Sequence, residues 1–153
     1  MSTNYAIYDT ALGFFRIDYE YSTLVGLSSC KTFEDMGTRT TFSDSVIGQL
    51  EEYFRGDRKE FSINYKLYGT PFQMRVWKAL ECIPYGVTKS YKDIAISINN
   101  ENASRAVGGA NNKNPIGIIV PCHRVIGANN KLVGYAGGLE LKKKLLEIEK
   151  RNM

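Results

Sequence analysis

The sequence predicts a mixed α/β (α+β) fold, with strands and one helix first and helices joined by short turns after them. Three observations carry that expectation. Apolar and polar residues alternate with a period of two near the start of the chain, as half-buried strands require. Ile47, Leu50 and Phe54 then recur at helical spacing. Past Tyr68-Gly69-Thr70-Pro71, helix-start signals take over. That break is the expected boundary between a scaffold domain, residues 1–68, and a second domain, residues 69–153. A chain of 153 residues accommodates one ordinary domain or two small ones.

Tyr5 and Ile7 alternate with polar neighbours, and Phe15, Ile17, Tyr19 and Tyr21 alternate across Arg16, Asp18 and Glu20. These are two strands, turned at Ala11-Leu12-Gly13, and Leu24-Val25-Gly26-Leu27 is a third. The helix through Ile47, Leu50 and Phe54 stops at Gly56. Thr70 is an N-cap, Pro71 the first helical residue and Gln73 the capping-box partner. The helix they open carries Phe72, Val76, Trp77 and Leu80 on one apolar face and ends before Pro84. Ser90 with Asp93 repeats the signal and opens a short helix through Ile94, Ala95 and Ile98. A polar turn, Asn99 to Asn102, leads to a second short helix from about Ala103, and the pair reads as a helix-turn-helix. Ile116 to Val120 reads as a buried strand, Gly127-Ala128-Asn129-Asn130 as a turn and Gly134 to Gly138 as a glycine-rich loop. A last helix carries Leu141, Leu145 and Ile148.

The second short helix is unusual in composition: Ala103, Ser104, Ala106, Gly108, Gly109 and Ala110 are all small. A glycine inside a helix costs about 1 kcal/mol relative to alanine, so something must approach this backbone closely. Either another helix packs against it, or it enters a narrow groove with Arg105 projecting from it.

Apolar residues make up 43% of the chain and charged residues 24%, enough to bury a core. No apolar run nears the ~18 residues that span a bilayer, and the first residues lack the regions of a signal peptide. Neither a membrane nor a secreted protein is expected; the expected location is the cytoplasm, or the nucleus in a eukaryote. Three cysteines, an odd number for a disulfide framework, suggest reduced thiols, and with one histidine they exclude a zinc site with two histidines and a four-thiolate site. Imidazole chemistry can come only from His123. The net charge of +4 hides an asymmetry, with 7 basic and 10 acidic residues up to Tyr68 but 13 basic and 6 acidic from Gly69 onward. Such a split fits a nucleic-acid-facing second half, or a solvated helix at Lys142-Lys143-Lys144.

The one histidine directly follows a cysteine. A cysteine attacks only as thiolate, and its ordinary pKa of about 8.5 calls for a base or a positive field nearby. His123 and Arg124 are candidates for both. In extended backbone consecutive side chains point to opposite faces, so the pair would need either a turn at Pro121 or a water to carry the proton. Glu147 and Glu149 are the candidate carboxylates to orient the imidazole. The alternative is a structural cysteine beside a surface histidine.

Pro121-Cys122-His123-Arg124-Val125-Ile126 resembles the active-site motif of the O6-alkylguanine–DNA alkyltransferases, suicide DNA repair proteins. Ser90-Tyr91, Ser104-Arg105-Ala106-Val107-Gly108-Gly109-Ala110, Asn114-Pro115 and Gly134-Tyr135-Ala136-Gly137-Gly138 follow in the family's order and approximate spacing. The resemblance covers about Phe72 to Glu149; earlier residues are similar in architecture alone. It implies a small ribonuclease-H-like scaffold followed by a winged helix-turn-helix-like domain whose second helix enters the minor groove while the damaged base is flipped out. On the family's pattern Cys122 accepts the alkyl group, His123 deprotonates it through water, Glu149 orients His123, Tyr91 donates to guanine N3 and Asn114 is the hinge. Arg105 occupies the space of the flipped nucleotide, and Ala103, Ser104, Ala106 and Gly108 line the groove. Tyr135, Ala136, Val120 and Pro121 form the substrate pocket.

The resemblance implies duplex DNA containing O6-alkylguanine as the partner, with O4-alkylthymine a further substrate. It implies a monomer, binding singly or cooperatively along DNA, with no cofactor and no metal. Two departures stand out. Many relatives have serine where this chain has Ala136, which implies altered alkyl preference rather than inactivity. Some carry a structural zinc, whose ligands this chain lacks. A non-catalytic lesion binder would lack the cysteine, and a Cys–His acyl hydrolase would need an oxyanion hole.

Overall fold

Chain order runs from a hairpin sheet through one covering helix into a helical second half. The structure, a computed structural model, describes residues 3–153. Strands β1 (Asn4–Thr10), β2 (Gly13–Glu20) and β3 (Thr23–Ser29) form an antiparallel sheet in the order β1-β2-β3. Register places Ala6 opposite Ile17 and Ile17 opposite Leu27, a row that is wholly buried because all three point to one face. Helix α1 (Thr41–Phe54) covers that face with Val46, Leu50, Tyr53 and Phe54, the last 5.6 Å from the Phe15 ring. Thr40 and Ser43 cap its N-terminus reciprocally.

Helix α2 (Pro71–Glu81) starts on the expected Thr70–Gln73 capping box, with Pro71 first, and buries Val76, Trp77 and Leu80. The Trp77 indole donates to the Ala110 carbonyl at 2.9 Å, which fixes α2 against the helix-turn-helix. That motif is α3 (Tyr91–Ser97), capped by Ser90 and Asp93, and α4 (Ser104–Asn112). Two short strands, β4 (Lys89–Ser90) and β5 (Val125–Ile126), pair in parallel beside it. Helix α5 (Leu139–Arg151) closes the core with Leu145 and Ile148.

Ile116 to Val120 is not a strand. Ile116 makes a single parallel bridge to Leu27 and the chain then coils. Gly117 donates its N–H to the Leu27 carbonyl at 3.0 Å, and Val120 returns its own to Ile116 at 3.1 Å. Ile118 sits at φ 70°, a left-handed conformation that a β-branched residue adopts only under constraint. Ile116, Ile118 and Val120 are buried as expected, but past the contact with Leu27 the run's backbone bonds are turn-like rather than those of a strand along the sheet edge.

Bridges Leu24–Tyr65 and Leu27–Ile116 tie β3 to later segments, and one apolar cluster continues from Ala6 to Ile148. Among the described residues, no helix is long and apolar enough to cross a membrane.

Candidate active site

Pro121 (φ −81°, ψ 64°) breaks the extended backbone, and Cys122 to Arg124 form one turn of 3-10 helix. With three residues per turn, adjacent side chains diverge by about 120°, so Cys122 and His123 neither oppose nor face each other directly. Cys122 is 4% exposed and His123 wholly buried.

Glu149, and not Glu147, meets the imidazole. Glu147 is exposed on the far side of α5, whereas Glu149 is buried and its Oε2 lies 2.7 Å from His123 Nε2. Arg124 grips the same carboxylate with two nitrogens, Nε to Oε1 at 2.9 Å and Nη2 to Oε2 at 3.0 Å, and donates Nη1 to the Ile83 carbonyl. The Gly86 N–H reaches Oε1 at 3.0 Å, and the Tyr53 hydroxyl donates to Oε2. Burial opposes ionisation of Glu149, but the hydrogen bonds and charges of His123, Arg124 and Tyr53 prevail and hold its carboxyl well below the usual range. For His123, burial outweighs the pull of Glu149 and lowers the imidazole below its ordinary value, leaving the ring neutral at pH 7. Facing an ionised carboxylate, Nε2 carries the proton, and Nδ1 is left as a bare base with no protein partner among the described residues.

This corrects one expectation: Arg124 supplies no field to the thiol, because its charge is spent on Glu149. A different cation does so. Lys142 is wholly buried, not solvated, and its Nζ donates to the Val125 and Val133 carbonyls at 2.6 and 2.8 Å. Burial holds the Lys142 ammonium down to about 8. Burial likewise pushes the Cys122 thiol up, while a hydrogen bond from Asn114 and the Lys142 charge pull it back toward thiolate.

Cys122 opens on a pocket of about 70 Å³, lined by Asn114, Gly117, Ile118, Tyr135, Ala136, Gly137 and Leu141 and, from the sheet, Phe15, Leu27, Ser28 and Ser29. Val120 and Pro121 are not part of this lining. They are buried behind the thiol, where the Val120 carbonyl accepts from the Asn114 amide at 2.8 Å. Tyr91 stands on the loop side, its hydroxyl donating to the Val133 carbonyl at 3.1 Å. Asn111, unanticipated, donates to the Cys122 carbonyl at 3.3 Å and so couples α4 to the reactive turn.

Helix α4 buries Val107, Ala110 and Asn111, while Arg105, Ala106 and Gly109 are exposed and Ala103, Ser104 and Gly108 partly so. A Cβ on Gly109 would meet nothing within 4 Å, and one on Gly108 would touch only the Tyr91 ring at 3.7 Å. Packing inside the molecule therefore does not require either glycine; apart from Ala110, the small residues are exposed or partly so.

Several residues of the site escaped the sequence reading. Lys142 carried a signal, since it shares a helix face with Leu145 and Glu149. Tyr53, Phe15, Ser29 and Asn111 offered none beyond ordinary core or surface positions.

Comparison with known proteins settles the lineage. Residues 71–151 match the family described as 6-O-methylguanine DNA methyltransferase, DNA binding domain. A Mycobacterium bovis methylated-DNA–protein-cysteine methyltransferase is 48% identical over 96% of this chain and 92% of its own. This chain belongs to the O6-methylguanine DNA methyltransferase family. A Methanosarcina acetivorans relative of the same name is 60% identical over 101 residues, 66% of this chain and 65% of that protein, so the chain spans about two thirds of that relative's length. The crystal structure of the Mycobacterium tuberculosis O6-methylguanine methyltransferase superposes with a TM-score of 0.91 at 43% identity, covering 99% of this chain and 95% of that one. A second structure of the M. tuberculosis protein, in complex with DNA, gives 0.87 at 45% identity, covering 97% and 93%. The methyltransferase family match contains Cys122, His123, Glu149 and all of α4. Tyr53 and the sheet residues of the pocket lie outside it.

Proposed function

We propose that this protein repairs DNA by moving an alkyl group from O6 of guanine in duplex DNA onto Cys122, irreversibly and once per molecule. One observation carries the reading: a buried thiol opens on a pocket beside a neutral imidazole whose unpartnered nitrogen is its basic one. In the transfer, the thiol proton passes through a water to His123 Nδ1, and the imidazolium so formed is stabilised by Glu149. Sγ attacks the alkyl carbon in line, the carbon–O6 bond breaks, and its electron pair leaves on the guanine. Tyr91 exchanges its Val133 partner for guanine N3 and donates there as charge develops. The thioether product has no good leaving group, so nothing regenerates the thiol. Asn114, bonded to the Val120 carbonyl and lining the pocket beside the thiol, keeps the turn and Cys122 in register.

Residues 1–68 serve as scaffold and residues 69–153 carry DNA binding and transfer. Helix α4 enters the minor groove, ~6 Å wide, with its small outward face. Arg105 fills the gap left by the flipped base, whose extrusion costs a few kcal/mol and less for a weakened pair. The α4 N-terminus has no side-chain cap, which leaves its first N–H groups for a phosphate. Tyr135 walls the pocket, and at Ala136 only the backbone is available to O6. O6-alkylguanine, with O4-alkylthymine second, is the substrate class, and the protein acts as a monomer in the cytoplasm or nucleus. Incubation with a duplex bearing O6-methylguanine, followed by intact mass and peptide mapping, should place one methyl on Cys122. Unmodified protein that still binds the duplex overturns the reading.

A further inference from the structure

We propose that Tyr53, from α1 of the scaffold half, is a positioning residue of the proton relay, its hydroxyl keeping His123 in the neutral, proton-accepting form. The inference rests on the alkyl-transfer reading but concerns a residue outside the family match. Tyr53 is wholly buried, and its hydroxyl donates to Glu149 Oε2 while lying 3.3 Å from His123 Nε2. It therefore competes with the imidazole for the same carboxylate oxygen. Each donor on Glu149 drains charge from the carboxylate, and what is drained no longer stabilises an imidazolium. Arg124 and Gly86 have already engaged Oε1, so Oε2 is where the balance is set. Tyr53 shares Oε2 with His123 and Arg124 Nη2, and it is the one neutral hydroxyl among the donors.

The ring is held independently of the hydroxyl, at 5.4 Å from Phe61, 6.0 Å from Phe54 and 6.1 Å from Tyr85. The charged and titratable groups acting on His123 are Glu149 and Lys142 from α5, Arg124 from the reactive turn and Tyr53 from α1, with Tyr85, from the segment after α2, acting on Glu149 and Arg124. Of the side chains that donate to Glu149, Tyr53 is the one that can lose its polar atom without leaving a buried charge unpaired or opening a large cavity.

The chain has one histidine, so proton NMR follows His123 without assignment ambiguity. Tyr53→Phe should shift the His123 titration upward by about one pH unit, the size expected for losing one hydrogen bond to a charged group. The acid limb of the single-turnover transfer rate should move up with it. Phe61→Leu, which loosens the same ring without touching the hydroxyl, should move neither. An unshifted or downward His123 titration in Tyr53→Phe, or an equal upward shift in Phe61→Leu, overturns the proposal. Failure of wild-type protein to methylate Cys122 overturns the transfer reading instead, and the NMR titration still decides the role of Tyr53.

Discussion

Cys122, His123 and Glu149 are arranged so that each corrects a difficulty of its neighbour. Burial makes the thiol a poor acid, the adjacent imidazole is kept neutral enough to take its proton, and the carboxylate holds that imidazole in one tautomer. Replacing Cys122 by serine should leave affinity for lesion duplex within about twofold of wild type while abolishing transfer, as gel shift and intact mass would report, because an alkoxide is far less accessible than a thiolate. Stability carries a second expectation. The folded His123 titrates below its unfolded value, so the unfolded chain binds the extra proton as pH drops below about 6.5 and the fold loses stability there. The depressed Glu149 carboxyl acts with the same sign, its stabilisation present above an unfolded pKa of about 4.3 and lost as pH falls below it. Thermal melts should therefore decline steadily from about pH 7 to 4, and His123→Asn should flatten the upper part alone; a profile identical to wild type would contradict the assignment. At this scale the sequence is a good guide to residues whose type announces chemistry. It is a poor one to Tyr53, whose role depends on contacts across the fold that no local pattern encodes.

Helix α4 is the element whose composition cannot be understood from the fold alone. Gly109 faces open space, so Gly109→Ala removes a helix penalty of about 1 kcal/mol and should raise the melting temperature. The same methyl widens the face offered to DNA and should weaken duplex binding several-fold; a variant both more stable and equally tight would end the groove reading. Sequence could narrow α4 to close packing or groove entry but not choose, because the choice depends on whether a neighbour exists. Capping boxes at α2 and α3 are legible because the cap, the first turn and the apolar face all agree. The run Ile116 to Val120 misleads because four apolar residues and a glycine satisfy a buried coil as well as a buried strand. Strands β4 and β5, two residues each, are too short to show any period.

Taken whole, the molecule sets an acidic first half against a basic second one, and the pocket lies where they meet. The charge split is legible in the sequence, but the meeting place is not, since it depends on β3 docking beside Ile116. Arg105→Ala should slow repair of duplex DNA by an order of magnitude or more while sparing reaction with free O6-benzylguanine, which needs no extrusion. Equal losses on both substrates would assign Arg105 to the pocket rather than to the duplex. The hydrogen bond from Tyr53 to Glu149 has a further consequence, for the order in which the molecule matures. It closes a loop of 96 residues, among the most non-local contacts in the chain, and contacts of that kind form late because their loop entropy must be met first. A folding chain thus holds an unready thiol until its last tertiary contacts close, so lesion-dependent alkylation during refolding should trail helix formation and coincide with the final phase.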